Sequence, residues 1–168
     1  PQRFADVERL RFDIGAAARD PGIVATGNDN LVVTSRKRIG VIGTLVWDVI
    51  YGRVPGNLPL EEWGGIAYSL GALDAALSAD WEIVPLIRVG SDLIVPAREF
   101  INKLQKVASN APLIEVPWPN NRVVLRYQSA ERRTEVLSGG IPPWSWLGLK
   151  PLLADLDALY VNMISGFE

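Results

Sequence analysis

The chain has no cysteine and no histidine. The first absence excludes disulfides, thiolate nucleophiles and cysteine-based zinc sites, and the second removes any imidazole base. No apolar run approaches the roughly 18 residues that a membrane-spanning helix needs, and Asp48 interrupts the best stretch, so no membrane partner is expected. Charge of one sign is also lacking. Lys and Arg number 17 against 19 Asp and Glu, the net charge is −2, and the cations are dispersed, which leaves no bulk electrostatic case for nucleic acid. Chemistry in this chain must rest on carboxylates, hydroxyls, Lys, Arg or backbone dipoles. A charged-then-apolar leader is not legible after Pro1, and the cytoplasm is the default expectation.

Apolar residues make up 48% of the 168 positions, and mean hydropathy is +0.14. That length fits one domain with a core, and that composition would suit a piece lacking a covering partner. Residues 1–37 read as an N-terminal extension or linker. Phe4–Ala18 could form a short helix, with Phe4, Val7, Leu10 and Ile14 near one face, and Arg19–Asn30 is rich in turn formers.

From Arg38 to Glu168 short β-type runs alternate with helical patterns, which predicts an α/β domain with a mainly parallel sheet. Ile39–Ile42 reads as a buried strand. Ile66, Leu70, Leu73 and Leu77 recur at helical spacing, so a helix follows Gly65. Glu82–Val89 is the next strand, with Pro85 favouring an edge or a bulge. Pro96–Ser109 reads as a second helix and Leu113–Val116 as a short strand. Arg122–Gln128 and Thr134–Leu137 read as an antiparallel hairpin across a polar turn. Trp144–Leu156 reads as helical with a disturbance at Pro151, and Asp157–Ile164 as a closing buried strand.

Two segments carry the candidate chemistry. Arg38–Asp48 runs an apolar strand into a turn and presents one carboxylate just past it. Ligands of open α/β sheets bind beyond the carboxyl ends of the strands, and a carboxylate there can accept two hydroxyl hydrogens from a polyol. A solvated or capping aspartate fits the same spacing. Gly64–Gly65 opens the helix that follows. Residues without Cβ let backbone amides approach a ligand, and a helix N-terminus favours electronegative groups, although a tight turn would also account for them. GxxxxGK[ST] and GxGxxG are both absent. Trp144 and Trp146 fit sugar stacking or packing, and Arg132–Arg133 fits a phosphate contact or a solvated turn.

Taken in order, these motifs resemble the start of the ribokinase-like (PfkB-type) carbohydrate kinases. Gly43–Asp48 matches the family's Gly-x-x-x-x-Asp at the end of a first strand. Gly64 and Gly65 match a Gly-Gly-x-x-x-Asn helix start, with Ser69 where the family usually has Asn. Val89, Gly90 and Asp92 match a Val-Gly-x-Asp turn. The hairpin at Arg122–Leu137 and the segment Arg53–Trp63 fall where the family builds a small β lid over the sugar. The resemblance implies a three-layer ribokinase-like fold, incomplete and limited to the N-terminal half. It implies that Asp48, Gly64, Gly65 and Ser69 contact a sugar or nucleoside, and that a homodimer could form through the lid. The intact enzyme would use ATP and Mg²⁺. Its catalytic base, in a Gly-x-Gly-Asp anion hole, is expected beyond Glu168, so this chain alone would bind no cofactor and show no activity.

A non-catalytic binding or dimerisation module on the same half-fold is the alternative. A dinucleotide-binding oxidoreductase domain is disfavoured, because no Gly-rich loop joins the first strand directly to a helix.

Overall fold

The computed structural model describes the backbone of residues 21–24 and 32–35, and residues 36–52, 56, 58–111 and 113–162. The chain divides into two units, Pro1–Ser35 and Arg36–Glu168. In the first, β1 (Pro21–Val24) pairs antiparallel with β2 (Val32–Ser35), Ile23 opposite Val33 and Val24 opposite Val32. The expected linker over Arg19–Asn30 therefore contains a strand. The β preference of Ile23 and Val24 prevails over the neighbouring turn formers where two valines supply a partner. The helix expected over Phe4–Ala18 lies outside the described residues.

The second unit runs through β3 (Lys37–Ile42), β4 (Leu45–Tyr51), β5 (Leu60–Gly65), α1 (Ile66–Ala76), β6 (Trp81–Leu86), β7 (Arg88–Gly90), α2 (Ile94–Ile101), β8 (Ile114–Val116), β9 (Arg122–Tyr127), β10 (Arg133–Ser138), α3 (Trp146–Leu149), a 3₁₀ turn over Lys150–Leu153, and β11 (Ala158–Val161). A parallel sheet is ordered β11-β3-β6, and β7 pairs with β8 in a second parallel ladder. Successive residues of a strand face opposite ways, and both faces of the first sheet are covered. Ile39, Val41 and Ile83 pack with Ile66, Ala67 and Leu70 of α1 and with Ile94, Ala97 and Ile101 of α2. Ile42, Val84 and Leu86 pack on the other side with Leu149, Leu152, Leu153 and Leu156. The result is a three-layer α/β unit. Fully burying side chains such as Ile66 and Leu70 contributes about 1.5–3 kcal/mol each, and this anchors α1 by its first turn.

Three expectations change in detail. The helix expected over Pro96–Ser109 is α2, which ends at Ile101 and tapers through Lys103 N–H to Phe100 O (3.1 Å) and Leu104 N–H to Ile101 O (3.0 Å). The chain beyond it is claimed by the free edge of β6: Ile83 N–H donates to Lys106 O (2.7 Å), and Ala108 N–H donates to Ile83 O (2.8 Å). Pro85, two residues on, has its missing amide on that outer side, as an edge strand permits. Second, Trp144–Leu156 forms one α-turn and then a 3₁₀ turn, because Pro151 has no amide with which to continue the ladder. Third, the closing strand is not buried. Among the described residues β11 pairs only with β3, and Leu159, Tyr160 and Val161 are 46%, 36% and 41% exposed. Residues 163 and 164 of that expected strand lie outside the described residues. No helix among the described residues is long and apolar enough to cross a membrane.

Candidate functional site

A four-stranded mixed sheet, ordered β10-β9-β4-β5, stands beside the parallel one. The expected hairpin is there: β9 and β10 pair antiparallel, Arg122 opposite Ser138 and Tyr127 opposite Arg133. Of the segment Arg53–Trp63 expected to complete the lid, Leu60–Trp63 belong to β5, which pairs antiparallel with β4, and residues 53–55 and 57 lie outside the described residues. Two anchors hold this sheet to the core. Trp47 and Trp63, opposite one another on β4 and β5, meet edge to face at 4.9 Å, and Trp63 continues to Phe100 of α2 at 6.5 Å. The second anchor is Asn120, fully buried just before β9. Its Oδ1 accepts from Gly90 N–H (3.1 Å), and its Nδ2 donates to Leu45 O (2.9 Å) and Asn121 O (3.1 Å). Asp92 accepts from Asn120 N–H (2.8 Å) and from Arg122 (2.8 Å). The Val89–Gly90–Asp92 turn thus fastens β4 and β9 to β7.

Asp48 lies inside β4, directly opposite Glu62 of β5, and not just beyond a strand end. Only Gly43 and Thr44 separate β3 from β4, so the strand resumes at once and carries the carboxylate onto the sheet face. Burial pushes the Asp48 carboxyl above the usual carboxylate range, Glu62 and then Glu135 push it further, and Arg133 opposes them. Its carboxylate rests on Gly64, where an added Cβ would stand 2.6 Å from Asp48 Cγ and 3.0 Å from Oδ1. The absence of a Cβ at Gly64 leaves room for the carboxylate there.

Gly65 makes the strand-to-helix corner with φ +61°, a region that side chains rarely adopt. The corner brings Ile66 N–H to Thr44 O (3.0 Å), which satisfies one of the amides that a helix start leaves open. One turn further, Ser69 Oγ lies 3.1 Å from the Tyr160 hydroxyl of β11. Beside it the Tyr68 hydroxyl donates to Glu62 Oε1 (3.3 Å).

The structure therefore brings Asp48 against Gly64, places Gly65 and Ser69 at the start of α1, and joins Ser69 to Tyr160. Carboxylates of Asp48 and Glu62 can accept hydrogens from hydroxyls, and the hydroxyls of Tyr68, Ser69 and Tyr160 can donate or accept. Glu62, Tyr160 and Asn120 were missed in the sequence. A cross-strand partner for Asp48 could have been sought among the two glutamates of β5, whereas nothing local marks Tyr160 or Asn120. Among the described residues no three His, Cys, Asp or Glu side chains cluster to hold a metal ion. Trp144 packs beneath the half-buried Arg88 guanidinium at 4.1 Å, and Arg88 donates to Pro143 O (2.9 Å). Arg133 pairs with Glu135 at 2.6 Å, and Trp146 is exposed.

No protein-family model matches the sequence, and no curated protein matches it significantly. Solved structures do match. The nucleoside kinase of Methanocaldococcus jannaschii, an archaeal member of the ribokinase family, aligns with a TM-score of 0.50 at 12% identity, over 74% of this chain and 44% of that one. The ribokinase of Cryptococcus neoformans in complex with ADP aligns with a TM-score of 0.49 at 19% identity, over 74% and 40%. The chain spans less than half the length of either protein. Its architecture is that of a partial ribokinase-like α/β fold.

Proposed function

We propose that this chain is the sugar-binding portion of a ribokinase-like kinase that transfers the γ-phosphoryl group of ATP to a hydroxyl of a sugar or nucleoside. The observation that carries this is the seating of Asp48 on Gly64, beside the Gly65 corner and the first turn of α1. In that place Asp48 orients the substrate by accepting two hydroxyl hydrogens. Hydrogen bonds to a charged acceptor contribute roughly 1.5–3 kcal/mol. Gly64 and Gly65 keep the backbone free of side chains at the ligand, and Ser69 adds a short polar contact.

ATP and Mg²⁺ belong to the same proposal, as cofactors of the intact kinase. Phosphoryl transfer needs positioned metal, phosphate donors and an aligned hydroxyl, and the part assigned to this chain is the last. The same proposal places the protein in the cytoplasm, where ATP is supplied. A homodimer through the lid belongs to the same proposal, supported by the exposed edge strand β10, on which Val136 and Leu137 are 61% and 69% exposed.

Calorimetric titration of the chain with D-ribose, D-fructose and adenosine tests the assignment. Saturable binding of one of them, weakened about ten- to hundredfold by Asp48→Asn, is the expected result. Binding that ignores the substitution would return Asp48 to a structural role.

A further inference from the structure

Tyr160 is partly exposed, at 36%. It sits one residue from the carboxyl end of β11, beside Val41 of β3, on the edge of the parallel sheet. Its hydroxyl reaches across to α1 and meets Ser69 Oγ at 3.1 Å. A serine within a helix commonly turns its hydroxyl back to the carbonyl one turn earlier, whereas this one shares its hydrogen bond with a residue some ninety positions away, at the sheet end where α/β folds take ligands. Two hydroxyls carry two hydrogens and four lone pairs. One bond between them consumes one of each, so the pair still offers one donor and three acceptor positions. About 6 Å of helix axis separates Gly65 from Ser69, four residues at ~1.5 Å each, a distance that one sugar ring with its hydroxyls can bridge.

We infer that Tyr160 is a substrate-positioning residue, whose hydroxyl joins Ser69 in a two-hydroxyl pair that binds one particular ligand hydroxyl and selects among polyols. This rests on the sugar-binding function proposed above and names a specificity element within it. The pair provides both a donor and acceptors at one point, so it favours a ligand hydroxyl able to do both and disfavours a deoxy or methoxy position there.

The test uses the whole chain and calorimetry with ribose, fructose, adenosine and a series of their single-deoxy analogues, on wild type, Tyr160→Phe, Ser69→Ala, the double variant and Asp48→Asn. Tyr160→Phe keeps the ring and removes only the hydroxyl. The expected result is a ~3- to 10-fold weaker affinity for the preferred probe, the value of one neutral hydrogen bond. The double variant should be little worse than either single one. One deoxy analogue that binds poorly to wild type should bind Tyr160→Phe as well as its parent does, a signature that a merely structural contact would not produce. A Tyr160→Phe protein with lower melting temperature but unchanged affinities and unchanged deoxy discrimination would overturn the inference. If Asp48→Asn weakens binding in that same experiment, the proposed function survives and only the role of Tyr160 falls. If no probe binds wild type, or Asp48→Asn has no effect, the proposed function fails and takes this inference with it.

Discussion

Gly64→Ala should damage the protein chiefly through Asp48, whose carboxyl group supplies the three atoms nearest the added Cβ. The backbone at Gly64 is not among the positive-φ positions, so alanine can adopt it. By itself the change should then stabilise by about 0.4–1 kcal/mol, because it restricts the unfolded chain. Against that stands the carboxylate. The new Cβ would lie 2.6 Å from Asp48 Cγ, where ordinary contact begins at 3.4 Å, so Cγ must retreat by at least the 0.8 Å difference. Overpacking of this kind costs about 1–3 kcal/mol, which leaves Gly64→Ala between about neutral and about 2.6 kcal/mol destabilised once the gain of about 0.4–1 kcal/mol is subtracted.

The decisive proteins are the two single variants, Gly64→Ala and Asp48→Ala, and their combination. With the carboxylate removed, the clash disappears and only the favourable backbone contribution remains, so the two substitutions should couple by about 1–3 kcal/mol. Urea unfolding of wild type and the three variants measures this directly. Additivity within about 0.5 kcal/mol would refute the packing of Asp48 on Gly64. Gly65→Ala is a control of a different kind: with φ at +61° and Thr44 O against the new Cβ, its loss should persist whether or not Asp48 is present.

Other perturbations read other parts of the structure. Because the folded pKa of Asp48 is raised, the folded state holds that proton to higher pH than the unfolded chain, so its carboxylate costs stability as pH rises through the window between the two values. Asp48→Asn should therefore stabilise at neutral pH, with a gain that disappears below the ordinary carboxylate range; a gain that grows towards acid would contradict the assignment. Ligand affinity should instead fall as pH drops through the raised pKa, and Glu62→Gln should move that midpoint down; an upward or absent movement counts against the Glu62 contribution. Asn120→Leu leaves the Gly90 N–H and the Leu45 carbonyl without their buried partner and should cost about 2–4 kcal/mol in chemical unfolding, whereas Arg122→Ala, at a half-exposed pair, should cost under about 1 kcal/mol. Equal losses would mean that Asn120 is no anchor. Among the described residues the outer edge of β11 is unpaired, and with Leu159, Tyr160 and Val161 exposed it should drive self-association and dye binding in sedimentation and fluorescence experiments, which Leu159→Lys should reduce. A monodisperse monomer that binds no dye would contradict this.

The parts of the fold legible in the sequence are those whose cause is local. α1 announces itself by Ile66, Leu70, Leu73 and Leu77 one turn apart, and the β9–β10 hairpin by two β-type runs around a polar turn. What escapes is decided at a distance. β11 has the unbroken apolar character of a buried parallel strand, yet among the described residues it stands at a sheet edge. Helical character beyond Ile101 gives way to hydrogen bonds with the outer edge of β6, which no local pattern records. The site divides in the same manner. Asp48, Gly64, Gly65 and Ser69 are visible through their order along the chain. That Asp48 is a strand residue facing Glu62, and that Ser69 meets Tyr160, follows only from strand pairing and the crossing of α1 over the sheet.

The proposed function requires that a polyol bind between β4, at Asp48, and the start of α1. Backbone amide NMR of the chain, titrated with ribose, fructose and adenosine, tests it most directly. The account predicts saturable shifts concentrated at Asp48, Gly64, Gly65 and Ser69, abolished by Asp48→Asn. Saturable shifts concentrated elsewhere, or none with any of the three compounds, would contradict it.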